Sequence, residues 1–246
     1  MKIVAMIPAR YDSERLPGKL MMDLGGIPII LRTYQSVIRS GLFDDVFVVT
    51  DSEMIFTLIK KNGGNVFMSS VKHDNGSDRI AEFASKINSD LILNVQGDEP
   101  FIDKSSLEKL ISVFIDDDKK NIDLASIMQL ITNEREILSP NNVKVVVDKN
   151  NFAMYFSRSI IPFNRSKDKN IKYFKHIGVY AFRKESLLYY YKSKSTKLEK
   201  LEKLEQLRFL ENAKKIKMVL TDYEGYGIDV MEDLINARKI LDEKTS

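Results

Sequence analysis

The chain reads as an α/β protein with a doubly wound, mostly parallel sheet. Two observations predict this. Short apolar runs alternate with stretches of helical periodicity as far as residue 115, the β-α-β-α rhythm that calls for parallel strands joined by crossover helices. The runs are also continuous rather than alternating, as strands covered on both faces require. At 246 residues the chain is long enough for one domain with a substantial core.

The elements follow in order. Residues 3–7 form a buried first strand. A helix is predicted over 28–40, with Pro28 at a tolerated early position and Gly41 as the stop. Residues 45–50 are a second strand. Ser52 caps a helix running to Lys61, which Gly63-Gly64 ends. A short third strand covers 65–69. The next helix, 77–87, places Ile80, Phe83, Ala84 and Ile87 at helical spacing. A buried strand at 90–95 and a helix at 103–115 complete the regular part.

After Asp116 the rhythm breaks. Residues 142–147 and 152–156 flank Asp148-Lys149-Asn150-Asn151 and read as a β-hairpin. An irregular, lysine-rich loop covers 160–172. A strand at 176–182, a helix at 197–212, a strand at 216–220 and a helix at 231–241 close the chain. Repeats and flexible linkers are absent from this reading. Residues 1–246 therefore read as a single domain, with the hairpin and loop of about 140–175 inserted as a lid or dimerisation arm.

Composition narrows the chemistry. Thirty-eight basic residues against 35 acidic ones leave a net charge of +3. So balanced a field, without interleaved aromatic and basic residues, argues against nucleic acid. With no cysteine and two histidines, thiol nucleophiles, disulfides and histidine-rich zinc sites drop out. A metal would be held by oxygen, which favours Mg²⁺. The chain enters a strand at once, shows no signal-peptide pattern, and has no apolar run of membrane-spanning length. The expectation is a cytoplasmic protein with no membrane partner.

Four clusters carry candidate chemistry. The first runs from Pro8-Ala9-Arg10 through Arg15 to Pro17-Gly18-Lys19. Three cations crowd one loop just past the first strand, where open α/β sheets bind ligands, and they predict an anionic ligand, a polyphosphate. Neither glycine-rich nucleotide motif occurs there, so side chains must do more of the binding. The second is Asn94-Val95-Gln96-Gly97-Asp98-Glu99-Pro100. Asp98 at a strand's carboxyl end suits a Mg²⁺ ligand, and a plain turn accounts for the same residues equally well. The third is Tyr226-Gly227-Ile228-Asp229, where a second metal ligand and a helix cap compete; the acidic turn of Glu232 and Asp233 favours the cap. The fourth is Asp74-Asn75-Gly76-Ser77-Asp78-Arg79, which opens a helix whose backbone N–H groups suit a base or phosphate; a capped turn fits it as well. Lys144 and Arg158 taken singly read as surface charge, and His176 as a structural histidine.

Together these segments resemble the 3-deoxy-manno-octulosonate cytidylyltransferases. The likeness runs in order through 7–10, 15–19, 94–100, Ser139-Pro140-Asn141, 143–146, Tyr155-Phe156-Ser157-Arg158, 176–180, 204–208 and 227–234. It implies a fold of the nucleotide-diphospho-sugar transferase type and a homodimer. It implies that CMP passes from CTP to the anomeric hydroxyl of 3-deoxy-D-manno-octulosonate (Kdo) for bacterial lipopolysaccharide synthesis, with Mg²⁺ held by Asp98 and Asp229. On the same likeness Arg10 and Lys19 bind the triphosphate, with Lys19 also catalytic. Pro8, Ala9, Ser77 and Arg79 complete the nucleotide side. Arg15, Gln96, Arg158, His176, Tyr180, Glu205 and Gln206 receive the sugar. Asn75, Phe163 and Val230-Met231 depart from the family pattern, which leaves a related acidic sugar, 8-amino-Kdo or sialic acid, as the alternative. A non-catalytic nucleotide-binding protein of the same fold is a third reading.

Overall fold

The computed structural model describes every residue except Glu14, Asp74, Glu224 and Ser246, together with the side chains of Lys244 and Thr245. Glu14 of the cationic loop and Asp74 of the fourth cluster thus lie outside the described residues. In chain order the elements are β1 (Ile3–Ala9), α1 (Ile29–Arg39), β2 (Asp45–Thr50), α2 (Glu53–Lys61), β3 (Asn65–Met68), α3 (Gly76–Ala84), β4 (Leu91–Asn94) and α4 (Lys104–Ile115). They continue with β5 (Leu124–Ile131), α5 (Glu134–Leu138), β6 (Lys144–Val147), β7 (Ala153–Ser157), β8 (Tyr173–Arg183), α6 (Lys184–Lys192), α7 (Lys197–Glu202), α8 (Gln206–Glu211), β9 (Ile216–Leu220) and α9 (Met231–Thr245). A 3-10 turn, Lys19–Met21, lies between β1 and α1. No helix among the described residues is long and apolar enough to cross a membrane.

Two compact units divide the chain: residues 1–107 with 225–246, and residues 108–224. In the first, β1 lies between β2 and β4 with β3 outside β2, and every pair is parallel. Val4, Ala5, Met6, Ile7 and Ala9 are fully buried, because a central parallel strand is covered on both faces. The helix starts follow local chemistry. Ser52 Oγ accepts from Ile55 N–H at 3.4 Å to cap α2. Asn75 Oδ1 accepts from Asp78 N–H at 2.8 Å to cap α3, which therefore begins at Gly76.

In the second unit β5 runs antiparallel to β8 and parallel to β9. The predicted hairpin is present, with β6 antiparallel to β7 and also to β8. Its turn is held by Asp148 Oδ1, which accepts from the N–H groups of Asn150 and Phe152, both at 2.8 Å. The predicted helix over 197–212 is instead two helices. Lys203 takes the left-handed conformation at φ 54 and ends α7, so the chain turns before α8 starts. A bidentate Arg208–Glu199 pair, with Nε–Oε2 at 2.8 Å, ties the two pieces together. Strand β5 and helices α5 and α6 occupy residues for which the sequence pattern predicted no element.

Candidate active site

The cationic loop leaves β1 and closes on Gly18, whose φ of 68 and N–H bond to the Tyr11 carbonyl at 3.2 Å form the bend. A side chain at residue 18 would also meet the Tyr11 ring, 3.3 Å from its hydroxyl oxygen. Gly18 therefore delivers Lys19 inward, and Lys19 is only 9% exposed. Its Nζ donates to Asp98 Oδ2 at 2.5 Å and to Asp229 Oδ1 at 2.9 Å. Two carboxylates 131 residues apart in sequence thus converge on one cation. Arg15, more exposed, pairs with the other oxygen of Asp229 at 2.9 Å. Burial pulls the Lys19 ammonium toward losing its proton, but Asp98 and Asp229 outweigh burial and raise its pKa above the ordinary 10.5.

Asp229 does not cap α9. Asp233, in the first turn of that helix, bonds back to the turn before it, its Oδ2 accepting from the N–H groups of Asp229 and Val230, both at 2.9 Å. The cap read from sequence for Asp229 is corrected here: its two carboxylate oxygens are taken by Lys19 and Arg15. Ile228 N–H donates to the Asp98 carbonyl at 3.0 Å, tying the two acidic turns together. Gly97 makes the approach of its turn possible. A Cβ there would lie 3.0 Å from the Pro8 carbonyl oxygen and 3.1 Å from Ile30 Cδ1.

The head of α3 belongs to the same unit. Asn94 Nδ2 donates to Ser77 Oγ at 3.1 Å. Gly76 packs so closely that a Cβ would fall 3.0 Å from Pro8 Cγ and 3.3 Å from the Gln96 amide. Pro8, Ser77 and Gln96 are thereby brought together. Buried Arg79 donates to Asp51 Oδ2 at 2.7 Å, and its second terminal nitrogen has no partner among the described residues. Ala9 is buried at the end of β1, and Arg10 beside it is exposed. Asp51 carries no motif in the sequence, and only its position after β2 hints at it; Asn94 heads the second cluster but had no role of its own in the sequence reading.

Among the described residues no group of three or more His, Asp and Glu gathers to form a metal cage. Two carboxylates on one cation are a different donor set, and it suits Mg²⁺. That ion keeps waters and substrate phosphates and takes one or two protein carboxylates rather than a full protein shell. The ammonium of Lys19 stands where the two acids accept positive charge.

A second cluster is built in the 108–224 unit. The pairing of β5 with β8 shifts between Ser126 and Ile127, which oppose Tyr180 and Ile177. The bulge leaves Gly178 and Val179 as extra residues in β8 and turns the Val179 carbonyl to Ser126. Ser126 Oγ lies 2.9 Å from that carbonyl and 2.8 Å from His176 Nε2. The hydroxyl proton goes to a carbonyl, so His176 carries its proton on Nε2 and donates to Ser126. Nδ1 then accepts from the Gln206 amide at 3.4 Å, and Gln206 Oε1 accepts from Tyr180 at 3.3 Å. Phe156 stands edge-on to the imidazole at 5.1 Å. Burial lowers the His176 pKa to about 3. Burial, and then the Glu205 carboxylate, hold the Tyr180 pKa well above 10. The break between α7 and α8 places Glu205 and Gln206 at a helix start. The sequence carried no signal for Ser126, because the bulge that recruits it is a tertiary feature.

Arg158 follows β7. Its Nε donates to the Glu202 carbonyl at 2.9 Å and its Nη1 to the Pro140 carbonyl at 3.0 Å. The Glu202 carboxylate accepts from Ser157 Oγ at 2.6 Å and from Arg158 N–H at 3.0 Å. Lys144 is not the surface residue its charge suggests: it is fully buried. Burial first, and nearby Arg158 second, lower its pKa.

A family profile described as cytidylyltransferase matches residues 4–216. The chain is 58% identical over 241 residues to the 3-deoxy-manno-octulosonate cytidylyltransferase of Flavobacterium johnsoniae, covering 98% of this chain and 99% of the relative. It is 51% identical over 240 residues to the protein of the same name from Christiangramia forsetii, covering 98% and 97%. A solved structure of CMP:2-keto-3-deoxy-manno-octonic acid synthetase complexed with CTP superimposes with a TM-score of 0.93 at 34% identity, over 99% of this chain and 100% of that one. Likeness in fold alone extends to a 4-diphosphocytidyl-2C-methyl-D-erythritol synthase from Anaerococcus prevotii, TM-score 0.64 at 19% identity, over 98% of each chain.

Proposed function

The chain belongs to the 3-deoxy-manno-octulosonate cytidylyltransferase family, and from that membership we propose that it transfers CMP from CTP to the anomeric hydroxyl of Kdo, giving CMP-Kdo and pyrophosphate. The observation that carries this reading is the convergence of Asp98 and Asp229 on the Lys19 ammonium beyond β1. Phosphoryl chemistry asks a protein mainly to position its reactants and to offset charge. Here two acids suit a divalent cation, and cations line the loop beside them.

The roles are those the family likeness implies. Arg10 and Lys19 hold the triphosphate, and Lys19 offsets charge on the departing pyrophosphate. Backbone at Pro8 and Ala9 helps select cytosine, with Ser77 and Arg79 on the nucleotide side. Gln96, Arg158, His176, Tyr180, Glu205 and Gln206 receive the sugar, with Arg15 near the acids. Asp98 and Asp229 would hold Mg²⁺, which when bound would lower the pKa of the sugar hydroxyl and offset charge on the α-phosphate. The hydroxyl oxygen bonds to the α-phosphorus, the α–β bridging bond breaks, and the hydroxyl proton leaves to solvent. His176 is neutral at working pH, so it orients the sugar rather than carrying a proton. The product serves lipopolysaccharide synthesis in the cytoplasm. The protein acts as a homodimer joined through the hairpin arm, whose Met154, Ile160 and Phe163 are exposed and apolar.

The test is pyrophosphate release with CTP, Mg²⁺ and Kdo, with ATP, GTP and UTP replacing CTP and with 8-amino-Kdo and sialic acid replacing Kdo. Release that needs both CTP and Kdo supports the reading. Preference for 8-amino-Kdo or sialic acid moves the assignment to that sugar, and release that ignores the sugar overturns it.

A further inference from the structure

We propose that Lys144 is a positioning residue that aims Arg158 at the carboxylate of the acidic sugar, an inference that rests on the function proposed above. Lys144 is fully buried, yet none of its hydrogen bonds goes to a carboxylate. Its three ammonium donors meet three backbone carbonyls instead: Ser139 at 2.9 Å, Asn142 at 2.7 Å and Arg158 at 2.6 Å. An ammonium has three donors, so the set is complete. These acceptors come from both ends of the hairpin, the turn before β6 and the residue after β7. Within the strands Lys144 pairs with Ser157 on β7 and with Lys175 on β8. It therefore stands between the residues that immediately precede Arg158 and His176.

Arg158 itself is held by carbonyls. The guanidinium bonds the Glu202 and Pro140 carbonyl oxygens, while the Glu202 carboxylate is turned to Ser157 Oγ and the Arg158 N–H. The guanidinium is thus fixed in place by carbonyl oxygens, with no hydrogen bond to a carboxylate among the described residues. A fork of donors held this way suits a carboxylate ligand. Lys144 supplies the fixed backbone from which that fork projects, and it adds a second positive charge behind it.

The test is a double-mutant cycle on the full-length protein with Lys144→Met, Arg158→Gln and the pair. Kdo and CTP are varied separately in the pyrophosphate assay, and CTP binding is measured by calorimetry. Wild-type turnover with Kdo is measured first; its absence defeats the proposed function and is thereby distinguished from failure of the present inference. The expected result for Lys144→Met is a KM for Kdo raised about tenfold or more, with the KM and the binding constant for CTP within about twofold of wild type. The double variant is expected to be no worse than Arg158→Gln alone. An unchanged KM for Kdo, an equal rise in both KM values, or independent losses in the double variant would each overturn the inference. If Lys144→Met fails to fold, Lys144→Gln, whose amide keeps two donors, takes its place in the cycle. Failure of both to fold assigns Lys144 a purely structural role and defeats the proposal.

Discussion

Replacing Lys19 with methionine isolates the seat formed by Asp98 and Asp229. The change deletes one ammonium, with its bonds of 2.5 and 2.9 Å, and leaves two carboxylates facing the same volume. Breaking a fully buried ion pair costs about 3–5 kcal/mol. This one is partly open: the Asp98 side chain is 22% exposed and that of Asp229 is 42% exposed. Solvent screening therefore reduces the expected loss to about 1–2 kcal/mol. For a chain of this length that corresponds to a melting temperature lower by about 2–8 °C. The informative step is titration with Mg²⁺ in the absence of nucleotide. A cation that binds the folded state alone stabilises it by mass action. The Lys19→Met protein should thus regain stability as Mg²⁺ rises, more steeply than wild type, whose ammonium already satisfies the acids. The assay is thermal unfolding followed by circular dichroism. A fall in melting temperature that Mg²⁺ does not reverse, with wild type responding equally, would refute the claim that these acids form a cation seat.

Two further outcomes follow. His176 titrates in the folded state at about 3, below its ordinary 6.5, so the folded protein binds fewer protons than the unfolded chain between those values. Stability from this group is complete above 6.5 and falls with pH below it, by up to about tenfold in the folding constant per pH unit. Nitrogen-15 NMR should show a neutral Nε2–H tautomer at pH 6, and an imidazolium signal there would contradict the assignment. Gly97→Ala forces a methyl to within 3.0 Å of the Pro8 carbonyl oxygen and should cost about 1–3 kcal/mol by overpacking; unchanged thermal stability would show that the turn has room.

The first half of the fold was legible because its elements announce themselves locally. Strands β1, β2 and β4 are short apolar runs, and Ser52, Gly41 and Gly63 mark helix ends. Strand β5 was not, because Ser126 and Gln129 interrupt its apolar run; its identity comes from pairing with β8 and β9. The break at Lys203 was hidden for a similar reason. Residues 197–212 have helical composition, and the left-handed residue is lysine rather than the glycine that usually signals a stop. In the site, Arg10, Lys19 and Asp98 stood out through their place after strands. Asp229 read as a cap because the sequence does not reveal that Lys19 and Arg15 take up its carboxylate. The placement of Ser126 beside His176 and the burial of Lys144 were illegible. One depends on a bulge and the other on packing between three strands, and neither is written in local pattern.

The most direct measurement is pyrophosphate release, dependent on CTP, Mg²⁺ and Kdo, by wild type, Asp98→Asn, Asp229→Asn and the double variant. Acids that act as one unit give each single variant a kcat lower by about a hundredfold or more, and a double variant scarcely slower than the worse single. Turnover near the wild-type rate in either single variant would mean that the two carboxylates do not share a cation in catalysis.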